Sequence, residues 1–169
     1  MTNEQSIDNE LFAGRKPDDT DSEALLAQYK LFVQTSEALA ARRQGVNTFF
    51  LSVNSIVLAA SGLLLRDGLL NHLESFALIC LSLGGSVLCF AWWRLIVSYR
   101  QLSTGKFAVI HALERRLPAR LFAAEWIALG CGKDPNKYRP FTRTETGTPW
   151  VFVALHLAFV CAGLYVLKV

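Results

Sequence analysis

Three stretches without Lys, Arg, Asp or Glu set the terms for this chain. They are residues 48–65 (TFFLSVNSIVLAASGLLL), 75–93 (SFALICLSLGGSVLCFAWW) and 150–167 (WVFVALHLAFVCAGLYVL). Each is close to the length that a helix needs to cross a hydrocarbon core. A core helix of a water-soluble bundle would carry a polar face. These carry little beyond serines, Asn54 and His156. The expected fold class is an all-α integral membrane protein with three transmembrane helices. The mean hydropathy of +0.30 over the whole chain agrees with that.

Charge sets the orientation. Residues 1–47 hold five basic and eight acidic side chains, and residues 94–147 hold ten basic and four acidic ones. The short link 66–74 has a single Arg. Arg42 and Arg43 precede the first span, and the basic 94–147 segment follows the second. By the positive-inside rule, the N-terminus and residues 94–147 are expected in the cytoplasm. Trp92, Trp93 and Trp150 would anchor the interface, where indole rings concentrate. No basic, apolar signal peptide opens the chain.

The domain organisation follows. Residues 1–19 read as a disordered acidic leader. Residues 20–169 read as one membrane domain, with a cytoplasmic helix over 20–47 and spans over 48–65, 75–93 and 150–167. Between the last two spans come a cytoplasmic helix over 94–117, a short extra helix over 118–130 and a loop over 131–148. Thr20 and Glu23 form a capping-box pattern at the start of the first helix. Apolar residues at helical spacing, Tyr29, Phe32 and Leu39, then Tyr99, Leu102, Ile110, Leu113 and Leu117, make stripes on two stalks that extend from the spans. Gly105 and Lys106 interrupt the second stripe, so a kink or a packed polar contact is expected there. Pro118 ends that helix and would suit the first turn of the next.

The spans carry small residues that allow close helix packing in lipid: Ser55 and Ala59; Ser82, Gly84, Gly85 and Ser86; Ala154, Ala158 and Ala162. Their spacing serves contacts within one chain or between copies equally well. Asn54 and His156 fall at similar depth on different spans, on the order of 10 Å from the cytoplasmic side at about 1.5 Å per residue. Polar groups inside a bilayer pair with one another or line water. They are therefore candidates for an interhelical contact or, alternatively, for the lining of an oligomeric pore.

The chemistry-bearing patterns are weak. His111 and Glu114 stand three apart on one helix, but a metal site needs more ligands than that. STGK at 103–106 and GCGK at 130–133 miss the phosphate-loop pattern and follow no strand. The four cysteines form no C-x-x-C pair and read as small buried thiols. No nucleophile–base pair or paired carboxylates fall in one region. Neither an enzyme, nor a cofactor, nor a metal is expected, and the basic segment needs no nucleic acid to explain it.

One long run does resemble a known family. It comprises Tyr99, Arg100, Leu102, Lys106, Phe107, Val109, Ile110, His111, Glu114, Leu117, Pro118, Glu125 and Trp126, then GKDPNKYRPFT at 132–142, Pro149 and Trp150. With RRQGVNTFF before the first span, it is similar to the RipA-like octameric membrane proteins of bacteria, from about residue 25 to the C-terminus. Ser103 stands where that pattern often has Asn. The resemblance implies a homo-oligomer, an octamer, in the cytoplasmic membrane, without enzyme activity and linked to stress or defence. Its partners would be other copies of itself, membrane lipids and an unidentified cytoplasmic protein.

Overall fold

The computed structural model describes residues 3–12, 22–66, 71–138 and 142–168. These form helices α1 (Asn3–Phe12), α2 (Ser22–Arg66), α3 (His72–Glu114), α4 (Leu121–Ala128) and α5 (Thr142–Lys168), with a 3₁₀ turn at Gly130–Gly132. There is no strand among the described residues. The chain divides into two compact units. One comprises residues 1–41 and 99–140, the other residues 42–98 and 141–169.

The second unit holds the three apolar segments, each inside a longer helix with a mean hydropathy of 1.9 to 2.2 in its best window. The helices are long and apolar enough to span a membrane. Their pairing follows from side-chain contacts. Asn47 and Asn54 on α2 meet Trp92 and Cys89 on α3, so these two run antiparallel. Phe152 and His156 on α5 pack against Trp92 and Gly85, again antiparallel. Helices α2 and α5 therefore run parallel, with Arg43 at Glu145 and Asn54 at His156. The start of α3 is a capping box: the Asn71 side chain accepts from Glu74 N–H at 2.8 Å, and Asn71 N–H donates back to the Glu74 carboxylate at 3.1 Å.

The first unit is a helical cluster around Phe12, Leu25, Tyr29, Ile110 and Leu113. Several expectations need correction here. The leader was expected to be disordered over 1–19, yet residues 3–12 are helical. A ten-residue helix is marginal alone, and α1 is held by docking. Phe12 joins the core beneath the Arg116 guanidinium, 3.4 Å from its ring centroid, and Asp8 pairs with Arg115 at 2.6 Å. Residues 13–19 and the cap at Thr20 lie outside the described residues.

Helix α3 runs unbroken through Gly105 and stops at Glu114, three residues short of Leu117. Lys106 donates to Thr35 Oγ1 at 2.8 Å and sits 4.6 Å from the Phe32 ring centroid, the polar contact that fills the gap in the stripe. Pro118 lies in the turn before α4 and does not open the helix. The loop expected over 131–148 is shorter, because α5 begins at Thr142 and contains Pro149.

Candidate functional site

The polar residues of the membrane unit converge. Asn54, Ser61, Ser75, Ser82 and His156 are all fully buried within one protomer. Each lies on the inward face of its helix. Asn54 is the hub. Its amide donates to the Phe50 carbonyl one turn back at 2.8 Å. Its Oδ1 takes the Cys89 thiol at 3.0 Å and stands 3.2 Å from His156 Nε2. An oxygen can only accept, so this geometry assigns the proton to Nε2. His156 Nδ1 then has a lone pair with no partner among the described residues, and so have the hydroxyls of Ser75 and Ser82. Gly85 makes room for the imidazole, since a Cβ there would overlap the ring.

Toward the start of α5 lies a second network. Glu145, in the first turn of α5, pairs with the Arg43 guanidinium and accepts from the Asn47 amide at 3.1 Å. Asn47 Oδ1 accepts from Trp92 Nε1 at 2.9 Å. The Trp92 indole stacks on Phe50, centroids 6.0 Å apart. Trp92, expected at the lipid interface, is thus a buried packing residue, because its N–H finds an acceptor inside the protomer. Trp93 and Trp150 pack edge-on at 5.7 Å, and Trp150 is exposed.

The small residues of the spans divide between the inside of the protomer and its outer face. Ser82 and Gly85 are buried within the protomer, and Ser86 and Ala162 are half-buried. Ser55, Ala59, Gly84, Ala154 and Ala158 face outward. A close backbone approach falls at Gly163, where a Cβ would stand 2.8 Å from the Ile79 side chain and 3.2 Å from the Ser75 carbonyl. Of the thiols only Cys89 is buried, which corrects the expectation for Cys80, Cys131 and Cys161.

In the other unit the hub is Glu114. Its carboxylate is fully buried and accepts from Tyr29 OH at 3.0 Å, from Phe122 N–H at 2.8 Å and from Ala123 N–H at 3.3 Å. The last two are orphan donors in the first turn of α4, whose own N-cap residue, Arg120, contributes no side-chain bond. Glu114 caps α4 from the end of the preceding helix, with its charge at the favourable end of the dipole. His111 Nδ1 lies 3.6 Å from the same carboxylate. Burial, and then the bond to Glu114, push the Tyr29 phenol up to about 12.

The stripe expected for stalk packing is only partly used. Tyr29, Ile110 and Leu113 are in the core, Phe32 and Leu117 flank it, Leu39 and Tyr99 are half-buried, and Leu102 is exposed. Sequence patterns alone did not single out Cys89, Ser61, Ser75, Asn47, Glu145 or the capping role of Glu114. The one signal for the first three is that they share a helix face with Asn54 or Ser82. No group of three or more His, Cys, Asp or Glu is placed to hold a metal among the described residues.

No curated protein and no solved structure matches the chain. A family model does, over residues 26–165, which takes in the first two spans, most of the third and both hubs. The chain belongs to the octameric membrane protein family, 8xMP.

Proposed function

We propose that the chain is a non-enzymatic scaffold of the bacterial inner membrane, a RipA-like factor in stress or defence. It assembles as a ring of eight copies, with its N-terminus and residues 94–147 in the cytoplasm. The cytoplasmic helices act as a platform for self-assembly and for one further cytoplasmic protein.

The observation that carries this reading is the placement of Asn54 and His156. Both are sealed inside the protomer, bonded to one another and to Cys89. The outward faces of the spans are apolar: Phe49, Ile56, Leu63, Phe76, Val87 and Tyr165 are each more than half exposed in the single chain. Such faces suit lipid and neighbouring helices. A pore built from these protomers would have to draw its polar lining from elsewhere than Asn54 and His156.

Two measurements test the proposal. Native mass spectrometry in detergent should give eight copies, while liposomes carrying the octamer should pass no more ions than empty ones. An ion flux that varies with pH and disappears in His156→Leu would replace the scaffold with the pore. For orientation, Thr104, in the 94–147 segment and outside the turn at Gly130–Gly132, is exposed, and Thr104→Cys supplies a thiol there. An impermeant maleimide should modify it in inverted vesicles and not in intact spheroplasts; the reverse pattern defeats the assigned sidedness.

A further inference from the structure

We propose that α4 and the turn behind it dock into a groove between α2 and α4 of a second copy, and so form a contact of the octamer outside the membrane spans. The proposal rests on the reading of the chain as an octamer.

Helix α4 is out of keeping with a surface helix. It reads LFAAEWIA, has no buried residue, and leaves Leu121 65 %, Trp126 45 % and Ile127 70 % exposed. An exposed apolar patch of this kind marks an interaction site. It is also tied down at both ends. Glu114 caps its N-terminus, and the segment after it is ordered. Gly130, Cys131 and Gly132 all take positive φ, and Asp134 accepts the Asn136 N–H at 3.0 Å and, through its carbonyl, those of Lys137 and Tyr138. Trp126 packs over Gly132 and edge-on to Tyr138. The result is a fixed knob of Trp126, Ile127 and Tyr138 with the exposed cations Lys133 and Lys137. Pre-ordered aromatic side chains with a polar rim are what protein interfaces use as anchors.

On its other side α4 forms one wall of an open groove of about 430 Å³. Tyr29 and Val33 face Leu121 and Phe122 across it, and Glu37 and Glu125 stand at its rim with a single cation, Lys30. At about 100° per residue, Ile127 lies roughly 200° around the helix from Glu125. Ile127 therefore faces away from the groove, while Trp126, about 40° from Phe122 by the same count, lies between the two surfaces. A ring closed by head-to-tail contacts needs two different, complementary surfaces on each chain. The knob carries Lys133 and Lys137, and the groove carries Glu37 and Glu125; no ion pair among the described residues uses any of the four. Two apolar surfaces of one chain thus carry opposite charges, Lys133 and Lys137 beside Asp134 on one and Glu37 and Glu125 beside Lys30 on the other, which favours a second copy as the occupant.

The test uses the full chain with Cys80, Cys131 and Cys161 changed to Ser, and Cys89 kept because it is buried. Val33→Cys and Ile127→Cys are introduced together and oxidised in the membrane. The expected result is a covalent ladder running up to the octamer. When Val33→Cys and Ile127→Cys are placed on separate, co-expressed chains, crosslinking should stop at mixed dimers. Glu37→Lys with Glu125→Lys should lower the yield several-fold, and adding Lys133→Glu with Lys137→Glu should restore it. Native mass spectrometry of each variant keeps the outcomes separate. Octamers that give no ladder, whether α4 then lies on lipid or on another protein, overturn the proposal and leave the octamer standing. Crosslinks confined to monomers overturn it as well. Loss of the octamer in the parent chain defeats the assembly reading itself.

Discussion

The Tyr29 hydroxyl donates to the Glu114 carboxylate across 3.0 Å, joining positions 85 apart in sequence. That same carboxylate holds the first turn of α4. Removing it strands three donors at once. Glu114→Ala should cost about 2.5–4 kcal/mol, since the lost helix cap is worth about 1 and the single Tyr29 bond to a charged group about 1.5–3. Glu114→Gln keeps an acceptor and should lose less. Thermal unfolding in detergent reads the cost, and limited proteolysis should cut first between residues 118 and 130 in Glu114→Ala. Equal protease resistance of Glu114→Ala and the parent chain would contradict the capping role.

Tyr29 adds a pH dependence of known sign. Its pKa is raised from 10.0 to about 12, first by burial and then by the bond to Glu114. A group with a raised pKa in the folded state stabilises the fold fully below its unfolded value and loses that contribution as pH rises through the folded one. The contribution of Tyr29 is therefore present up to about pH 10 and fades between there and about 12. The parent chain should lose thermal stability over this interval by more than Tyr29→Phe does. Identical alkaline profiles for the two would show that the phenol does not titrate in contact with the carboxylate.

How much of this was readable beforehand differs between the two units, for a physical reason. The spans were legible because bilayer thickness fixes a length and the absence of charge is unambiguous. Asn54 and His156 stood out because few other polar groups share their segments. The docked leader and the Glu114 hub were not legible. The residues of α1 are mostly polar, and their docking rests on Phe12 in the core with Leu25 and Ile110 and on the Asp8–Arg115 pair, both contacts distant in sequence. Glu114 sits three positions after a histidine and eight before its nearest backbone partner, a spacing that belongs to no local motif. Lys106 looked like a flaw in an apolar stripe until Phe32 and Thr35 of α2 were placed beside it. The third span was expected over 150–167 after a loop, and α5 begins earlier, at Thr142, with the Arg43–Glu145 pair at that added end.

The Asn54–His156 contact should behave as a coupled pair. Either Asn54→Leu or His156→Leu leaves a polar partner buried in an apolar setting, and each should destabilise the protein. The double variant removes both and should be less costly than the sum. Interhelical hydrogen bonds in membranes average about 0.6 kcal/mol and reach about 1.7. A double-mutant cycle of unfolding free energies should therefore give a coupling within that range. A coupling of zero would mean that the two side chains do not meet.

Gly84 and Gly85 are neighbours in sequence and opposite in consequence. A Cβ at Gly84 meets nothing within 4 Å, whereas one at Gly85 runs into the His156 ring. Both sit inside α3, where Ala is otherwise favoured over Gly by about 1 kcal/mol. Gly84→Ala should leave the protomer unchanged or slightly stabilised. Gly85→Ala should lose about 1–3 kcal/mol, the usual cost of overpacking. Because the obstacle is one side chain, His156→Ala should recover much of that loss when combined with Gly85→Ala. Unfolding midpoints of the four proteins decide the matter: a Gly85→Ala penalty that persists unchanged in the absence of the imidazole would place the clash elsewhere on the helix face.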